Sequence, residues 1–211
     1  MTRLVPAPGA FWFPGALDRA AQEAFLGHIR AILAEAPLFT PTMPRTGKSF
    51  SVRMSNCGPL GWVSDTAGYR YQSFHPETRK PWPPLPEALL EIWARFSRPE
   101  LTPAAPCPPE ACLINYYSPD ARMSLHQDRD EDDFTAPVLS ISLGDTALFR
   151  LGGEERRAPT QSFRLESGDI FVLSGPSRLA FHGVDRIFPA SSTLLAEGGR
   201  FNLTLRRVHV G

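Results

Sequence analysis

The sequence predicts a mainly β protein with flanking helices, an all-β sandwich or jelly roll whose helices cover one outer face. Three observations predict it. Apolar residues recur at helical spacing only in the N-terminal half, an extended pattern takes over after Pro109, and about eight short apolar runs there are divided by Gly, Asp, Ser and Pro turn signals. The 211 residues are long enough to bury a full core, so one compact domain is expected. The 22 prolines, about twice the usual ~5%, call for many turns and loops.

Taken in order, Leu17, Ala21, Ala24, Phe25, His28, Ile32, Leu33 and Ala36 form one apolar stripe of an amphipathic helix that Pro37 ends. Pro41 and Pro44 mark a connection to an extended stretch at 50–54. Residues 56–86 are rich in Gly, Pro and aromatics (Trp62, Tyr69, Tyr71, Phe74, Trp82) and read as long ordered loops, which are often functional. A second helix starts at Pro86, runs through Leu89, Leu90, Trp93 and Phe96, and stops before Pro99. Strands follow at 112–117, 122–126, 138–143, 147–151, 162–165, 170–173, 180–183 and 201–208. Gly144-Asp145, Gly152-Gly153 and Gly168-Asp169 are among the turns between them.

Composition excludes several classes. With 22 basic and 22 acidic residues the net charge is zero, which argues against coating nucleic acid by bulk electrostatics but leaves room for a local basic groove. No apolar run approaches the ~20 residues that span a bilayer, so no membrane partner is expected. The run Ala10-Phe11-Trp12-Phe13 is cut by Pro14 and is too short for a signal-peptide core. Three cysteines (Cys57, Cys107, Cys112) with no C-x-x-C pair suggest a reducing, cytoplasmic setting.

Of the five histidines, His28 and His209 read as surface residues. His126-Gln127-Asp128 is different, because residues i and i+2 of an extended backbone point to one face and bring an imidazole and a carboxylate together. A second imidazole from a distant strand would complete the two-histidine, one-carboxylate triad of non-haem iron(II) oxygenases, with three coordination positions open. His182, just after Phe181, is the natural third ligand. His75-Pro76-Glu77 offers similar spacing, but Pro76 cannot donate into a strand ladder and its neighbours are loop-like. Alone, His126 and Asp128 are equally a hydrogen bond in a turn.

The C-terminal strand adds weight. Arg200, Asn202, Thr204 and Arg206 alternate with Phe201, Leu203 and Leu205. On an outer surface the polar face would simply be solvated. Turned into a barrel, its two guanidiniums would require an anion, and a metal-bound dicarboxylate held by a bidentate clamp is one. The spacing from His182 to Arg200 suits neighbouring strands.

Several runs stand out together: Asn115-Tyr116-Tyr117-Ser118-Pro119, Ser124-Leu125-His126-Gln127-Asp128-Arg129-Asp130-Glu131, Ser140-Ile141-Ser142-Leu143-Gly144, Phe181-His182-Gly183 and Arg200-Phe201-Asn202-Leu203-Thr204-Leu205-Arg206. They resemble the bacterial form of the AlkB family of alkylation-repair dioxygenases. Upstream, Met54-Ser55-Asn56-Cys57-Gly58, Leu60-Gly61-Trp62 and Lys80-Pro81-Trp82-Pro83 resemble the family's nucleotide-recognition segment. The likeness covers residues 51–206. H-x-D alone is shared by many oxygenases; N-x-Y before it and R-x-N-x-T-x-R after it make the combination specific.

The resemblance implies a double-stranded β-helix that binds Fe(II) and 2-oxoglutarate. His126, Asp128 and His182 would be the iron ligands. Arg200 would pair with the distal carboxylate of 2-oxoglutarate, helped by Asn115 and Tyr117, with Asn202 and Arg206 completing the cofactor set. O2 would take the remaining position. Succinate and CO2 would form as an N-methyl group, in lesions such as 1-methyladenine or 3-methylcytosine, is hydroxylated and lost as formaldehyde. Trp62 would stack on the flipped base with the His182 ring on its other side. Asp130 would meet an exocyclic amine and favour a cationic base, and Met54, Tyr69, Arg156 and Arg206 would line the base or its phosphate. The implied partner is alkylated nucleic acid, single-stranded DNA first and RNA as an open alternative, with the enzyme a monomer. Residues 1–109 would form the N-terminal helical extension and nucleotide-recognition lid, and residues 110–211 the catalytic core.

The sequence departs from the family at Pro44-Arg45-Thr46-Gly47-Lys48-Ser49, where Lys48 stands in place of an aromatic and can contact phosphate but not stack. Gly47-Lys48-Ser49 is no phosphate loop, because Thr42 stands where its first glycine belongs. Three other readings remain at this point: a hydroxylase of a protein or small molecule, a non-catalytic cupin-like binding module, and a zinc hydrolase, in which Arg200 and Asn115 would have no role.

Overall fold

Alternation along the strands decides what faces what. The computed structural model describes residues 2–98, 100–101 and 107–210. In order it contains β1 (Leu4–Ala7), β2 (Ala10–Phe13), α1 (Arg19–Glu35), β3 (Arg53–Cys57), β4 (Gly61–Asp65), β5 (Gly68–Gln72) and α2 (Glu87–Phe96). There follow β6 (Ala111–Tyr117), β7 (Met123–His126), β8 (Val138–Gly144), β9 (Thr146–Leu151), β10 (Gln161–Leu165), β11 (Ile170–Leu173), β12 (His182–Phe188) and β13 (Arg200–Arg206). A seven-stranded sheet runs β1-β2-β11-β8-β13-β6-β3, a four-stranded sheet runs β10-β9-β12-β7, and β4-β5 is a separate hairpin. This is the jelly-roll arrangement.

One face of the large sheet carries Cys112, Ile114, Leu139, Ile141, Leu143, Leu203 and Leu205, which pack against Phe25, Ile29 and Ile32 of α1 and Leu89, Trp93 and Phe96 of α2. The alternate residues, among them Leu113, Asn115, Ser140, Asn202 and Thr204, line a cavity on the other side. The helices therefore cover one outer face, as expected. Asp18 caps α1 by accepting from the Ala21 N–H at 2.9 Å. α2 closes with the Ser97 N–H bonded to the Trp93 carbonyl; Pro99, expected to stop it, lies outside the described residues. No described helix is long and apolar enough to cross a membrane.

Several expectations need correction. Phe25, Leu26, Ile29 and Ile32 form the buried face of α1, whereas Ala24 and His28 are exposed, because the bulky side chains rather than the alanines set its rotation. Residues 56–86 are not all loop. They hold the β4–β5 hairpin, turned at Thr66-Ala67 with Gly68 (φ +119) opening β5, whose mixed polar and aromatic residues hid its extended backbone. The short apolar run at 10–13 is a strand, β2, that pairs Phe13 with Ile170 and carries β1 at the sheet edge. The extended stretch at 50–54 lies at 53–57. The strand expected at 180–183 begins at His182 and continues through an irregularity to Phe188. The last strand ends at Arg206. Arg200 and His182 are not on neighbouring strands: β13 and β12 belong to different sheets.

Gly61 opens β4 where a methyl group would lie 2.5 Å from the Trp82 ring and 2.7 Å from Asn56 Cβ. Asn56 is itself fixed, donating to the Trp62 carbonyl at 3.1 Å and accepting from its N–H at 3.0 Å. Gly61→Ala is expected to destabilise the protein by about 1–3 kcal/mol through overpacking. The urea midpoint checks this; it should fall with an unchanged m-value.

Candidate active site

A cavity of about 650 Å³ opens between the sheets, with β4–β5 at its mouth. His126 closes β7, Asp128 lies two residues on, and His182 opens β12 directly opposite His126 in register. The two-residue spacing works as expected. Asp128 Oδ1 lies 3.7 Å from His126 Nε2, and Asp128 Oδ2 lies 3.6 Å from His182 Nε2. One ligand atom from each residue lies within 4.8 Å of the others.

The proton positions follow from the neighbours. His126 Nδ1 faces the Ser124 carbonyl at 3.0 Å and His182 Nδ1 faces the Ala180 carbonyl at 2.9 Å. A carbonyl only accepts, so each Nδ1 carries the hydrogen and each Nε2 presents a lone pair inward. Asp128 Oδ2 is buried with no hydrogen-bond partner. Two imidazole lone pairs and a carboxylate oxygen thus converge with no donor among them, an arrangement that suits a divalent cation with nitrogen and oxygen preference. Burial, reinforced by His126, pushes the His182 pKa down to about 4, keeping the ring neutral. Burial alone would raise the Asp128 pKa, but the Arg206 guanidinium outweighs it and holds the carboxyl well below the usual carboxylate range.

Arg206 is first of all the partner of Asp128. Its Nη2 donates to Asp128 Oδ1 at 2.7 Å, and its Nη1 donates to the Tyr71 hydroxyl at 3.1 Å and Glu131 Oε1 at 3.3 Å. Arg178 extends the chain of charges, donating to Glu131 Oε2 at 3.1 Å and to the Asp128 carbonyl at 2.7 Å. Sequence reasoning missed Glu131, Arg178 and Tyr71. No local pattern marks Arg178, while Tyr71 lies two residues from Tyr69 on β5 and so shares its face, a spacing from which it could have been found. The acidic stretch 128–133 is split accordingly: Asp128, Glu131 and Asp133 are buried, Asp130 exposed.

Arg200 is fully buried opposite the histidines. Nη1 donates to the Asp145 and Leu165 carbonyls at 3.1 Å each, and Nη2 donates to Ser142 Oγ at 2.6 Å. Nε has no partner, so the Nε–H and one Nη2–H remain as a two-pronged edge that matches a carboxylate. Burial lowers the Arg200 pKa to about 10, opposed by Tyr117, Asp169 and Asp145. Asn115 Oδ1 is likewise buried and unpartnered, and the Tyr117 hydroxyl meets only Met123 Sδ, at 3.8 Å. Asn202 differs, because both of its amide hydrogens are engaged within the sheet, by Ser140 Oγ and the Ile141 carbonyl.

At the mouth, Trp62 Nε1 donates to Asp130 Oδ2 at 2.8 Å, and its ring stacks on Tyr69 with centroids 5.6 Å apart and planes 18° apart. Phe50 meets it edge-on. Met54 lines the same cavity, and the Arg156 guanidinium lies over the Phe181 ring at 5.6 Å. Exposed Arg122, Arg129 and Arg156 form a local basic rim on a neutral chain. His75 is excluded from this centre: it is buried elsewhere, bonded to the Pro37 carbonyl at 2.8 Å and accepting from the Glu77 and Thr78 N–H groups at 3.1 Å each.

The 2OG-Fe(II) oxygenase superfamily profile matches residues 9–206. The "Alpha-ketoglutarate-dependent dioxygenase AlkB homolog" of Caulobacter vibrioides is 54% identical over 204 residues, covering 97% of this chain and 90% of the relative. "Alpha-ketoglutarate-dependent dioxygenase AlkB" of Escherichia coli K12 is 40% identical over 190 residues, covering 89% and 85%. Among solved structures, that of OsALKBH1 superposes with a TM-score of 0.82 at 30% identity, covering 98% of this chain and all of that one.

Proposed function

Because the chain belongs to the AlkB dioxygenases of the 2OG-Fe(II) oxygenase superfamily, we propose that it oxidatively demethylates N-alkylated bases, with single-stranded DNA as the preferred substrate. Fe(II) is its cofactor, and 2-oxoglutarate and O2 are its co-substrates. The observation that carries the reading is the convergence of two imidazole nitrogens and the unpartnered Asp128 Oδ2 in one cavity with the open guanidinium edge of Arg200. Iron with its co-substrates supplies the oxidation: 2-oxoglutarate becomes succinate and CO2, and the methyl group is hydroxylated and leaves as formaldehyde.

The protein's own residues bind and orient. His126, Asp128 and His182 would hold the metal, with the Nδ1 bonds fixing both rings. Arg200 would take the distal carboxylate of 2-oxoglutarate, with Asn115 and Tyr117 as the remaining polar groups and Asn202 bracing the strand. Arg206 would hold one Asp128 oxygen so that the other faces the metal. A base must leave its stack to reach this depth, and that costs least in a single strand. Trp62 would then be its platform and His182 its far wall, Asp130 would favour a cationic base, and Met54, Tyr69, Arg156 and the basic rim would meet its edge and phosphates. The enzyme would act as a cytoplasmic monomer. In this reading residues 1–109 supply helical cover and lid, together with the outer strands β1, β2 and β3 of the large sheet, and residues 110–211 the catalytic core.

Purified protein with Fe(II) and 2-oxoglutarate should release formaldehyde from oligonucleotides carrying 1-methyladenine or 3-methylcytosine. A panel of proteins and small molecules scored by succinate release tests the hydroxylase alternative. Stacking on an aromatic is worth about 1–3 kcal/mol per base, so Trp62→Ala should raise KM for a methylated oligonucleotide roughly 5- to 150-fold. Substrate-independent decarboxylation of 2-oxoglutarate should persist. Unchanged KM would remove Trp62 from the base site.

A further inference from the structure

The guanidinium of Arg200 is held by carbonyls and a hydroxyl rather than by an ion pair, and the backbone that carries it is fixed by one buried carboxylate. We propose that Asp145 is a positioning residue for the 2-oxoglutarate clamp: it sets the root and the head of Arg200 so that the free guanidinium edge faces the co-substrate carboxylate. The proposal rests on the reading of Arg200 as that clamp.

Asp145 lies at the corner where the chain leaves β8 at Gly144 and enters β9 at Thr146, and it is 1% exposed. Its N–H donates to the Gly199 carbonyl at 2.7 Å, and its Oδ2 accepts from the Gly199 N–H at 2.8 Å. Both backbone groups of the residue before Arg200 are therefore bonded to Asp145. Oδ1 accepts from the Ser191 and Ser192 N–H groups at 3.0 and 3.2 Å, tying down the loop that leads to β13. The carbonyl of the same residue then receives Arg200 Nη1 at 3.1 Å. One residue thus grips the arginine at its start and at its tip.

The surroundings leave this corner little freedom. Gly144 pairs with Arg200 in register, and a methyl group on it would lie 2.6 Å from the Gly199 carbonyl oxygen. Gly198 and Gly199 hold φ values of +70° and +83°, a left-handed path that glycine tolerates and that the carboxylate pins in place. Three backbone donors converge on the carboxylate, so an amide there would turn its own N–H groups toward N–H groups. Asp145 also supplies negative charge near a buried cation that has no ion pair of its own. Asp169, the other nearby carboxylate, is engaged elsewhere, by Trp12, Gly15 and Glu166.

The test is Asp145→Asn in the full chain. Binding of 2-oxoglutarate is measured by calorimetry on the anaerobic Mn(II) protein, alongside KM and kcat of the Fe(II) enzyme. Expected is a rise of about tenfold in both Kd and KM for 2-oxoglutarate, with Mn(II) affinity and KM for the methylated oligonucleotide unchanged. A merely structural Asp145 would lower the melting temperature or the active fraction while leaving the 2-oxoglutarate Kd within twofold of wild type, and that result overturns the proposal. If Asp145→Asn does not fold, Asp145→Glu decides: it keeps the charge but shifts it by one methylene, and its Kd should rise at least threefold, an unchanged value again being fatal. Arg200→Ala is run in parallel. Wild-type 2-oxoglutarate affinity in Arg200→Ala would overturn the clamp reading itself, separately from the role of Asp145.

Discussion

Replacing Asp128 with alanine is expected to remove metal binding and demethylation together while leaving a folded β protein. The residue contributes the only anionic donor of the triad, and its Oδ2 is the buried oxygen without a partner. Two neutral imidazoles remain, which offer lone pairs but no charge. Affinity for Mn(II), measured by calorimetry, should fall by more than the roughly 10- to 100-fold typical of losing a group that merely supports a ligand. Formaldehyde release should drop below detection. Stability responds to two opposed effects. Arg206 loses its closest partner, and breaking one side of a buried ion pair costs about 3–5 kcal/mol. Against that, the metal-free protein no longer crowds a carboxylate against two inward lone pairs. The net loss should therefore be smaller than the pair alone suggests. Wild-type Mn(II) affinity in Asp128→Ala would show that the ion sits elsewhere.

The parts of this site that depend on local geometry were legible in the sequence. His126 and Asp128 share a face because side chains two residues apart in extended backbone do, and Arg200, Asn202, Thr204 and Arg206 line the cavity for the same reason. His75 could be set aside because Pro76 does not belong in a ladder, and its buried ring proves to be bonded to Pro37 instead. What depends on the chain's path through space was not legible. The chain crosses from one sheet to the other between β12 and β13, so His182 and Arg200 line one cavity from different sheets rather than side by side. Arg178 reaches Glu131 and the Asp128 carbonyl from a distant turn, and no periodicity foretells such a contact. Tyr71 was hidden for another reason: the β4–β5 hairpin is short, aromatic and polar, with no apolar stripe to announce a strand.

The second large effect falls on Arg206, and it carries a pH signature. Arg206→Ala leaves Asp128 and Glu131 buried at the same place, with Arg178 as their remaining cation. Metal-free protein should lose about 3–5 kcal/mol at neutral pH. The sign with pH follows from the depressed pKa of Asp128. A carboxyl that is more acidic folded than unfolded stabilises the fold fully above its unfolded value of about 3.9, and that contribution fades as the pH falls toward the folded value. In Arg206→Ala the cation that offset burial is gone, so the folded pKa rises and acid relieves the buried charge instead. The gap between wild type and variant should thus be widest near pH 7 and narrow as the pH falls through the variant's raised Asp128 pKa toward the depressed wild-type value. Urea midpoints of the two metal-free proteins at pH 7, 5 and 3.5 measure it. A gap that stays constant over this range would mean that Arg206 acts through its packing and not its charge. Metal affinity at pH 7 should fall roughly 10- to 100-fold in the same variant, because Asp128 is then free to turn both oxygens away from the paired imidazoles.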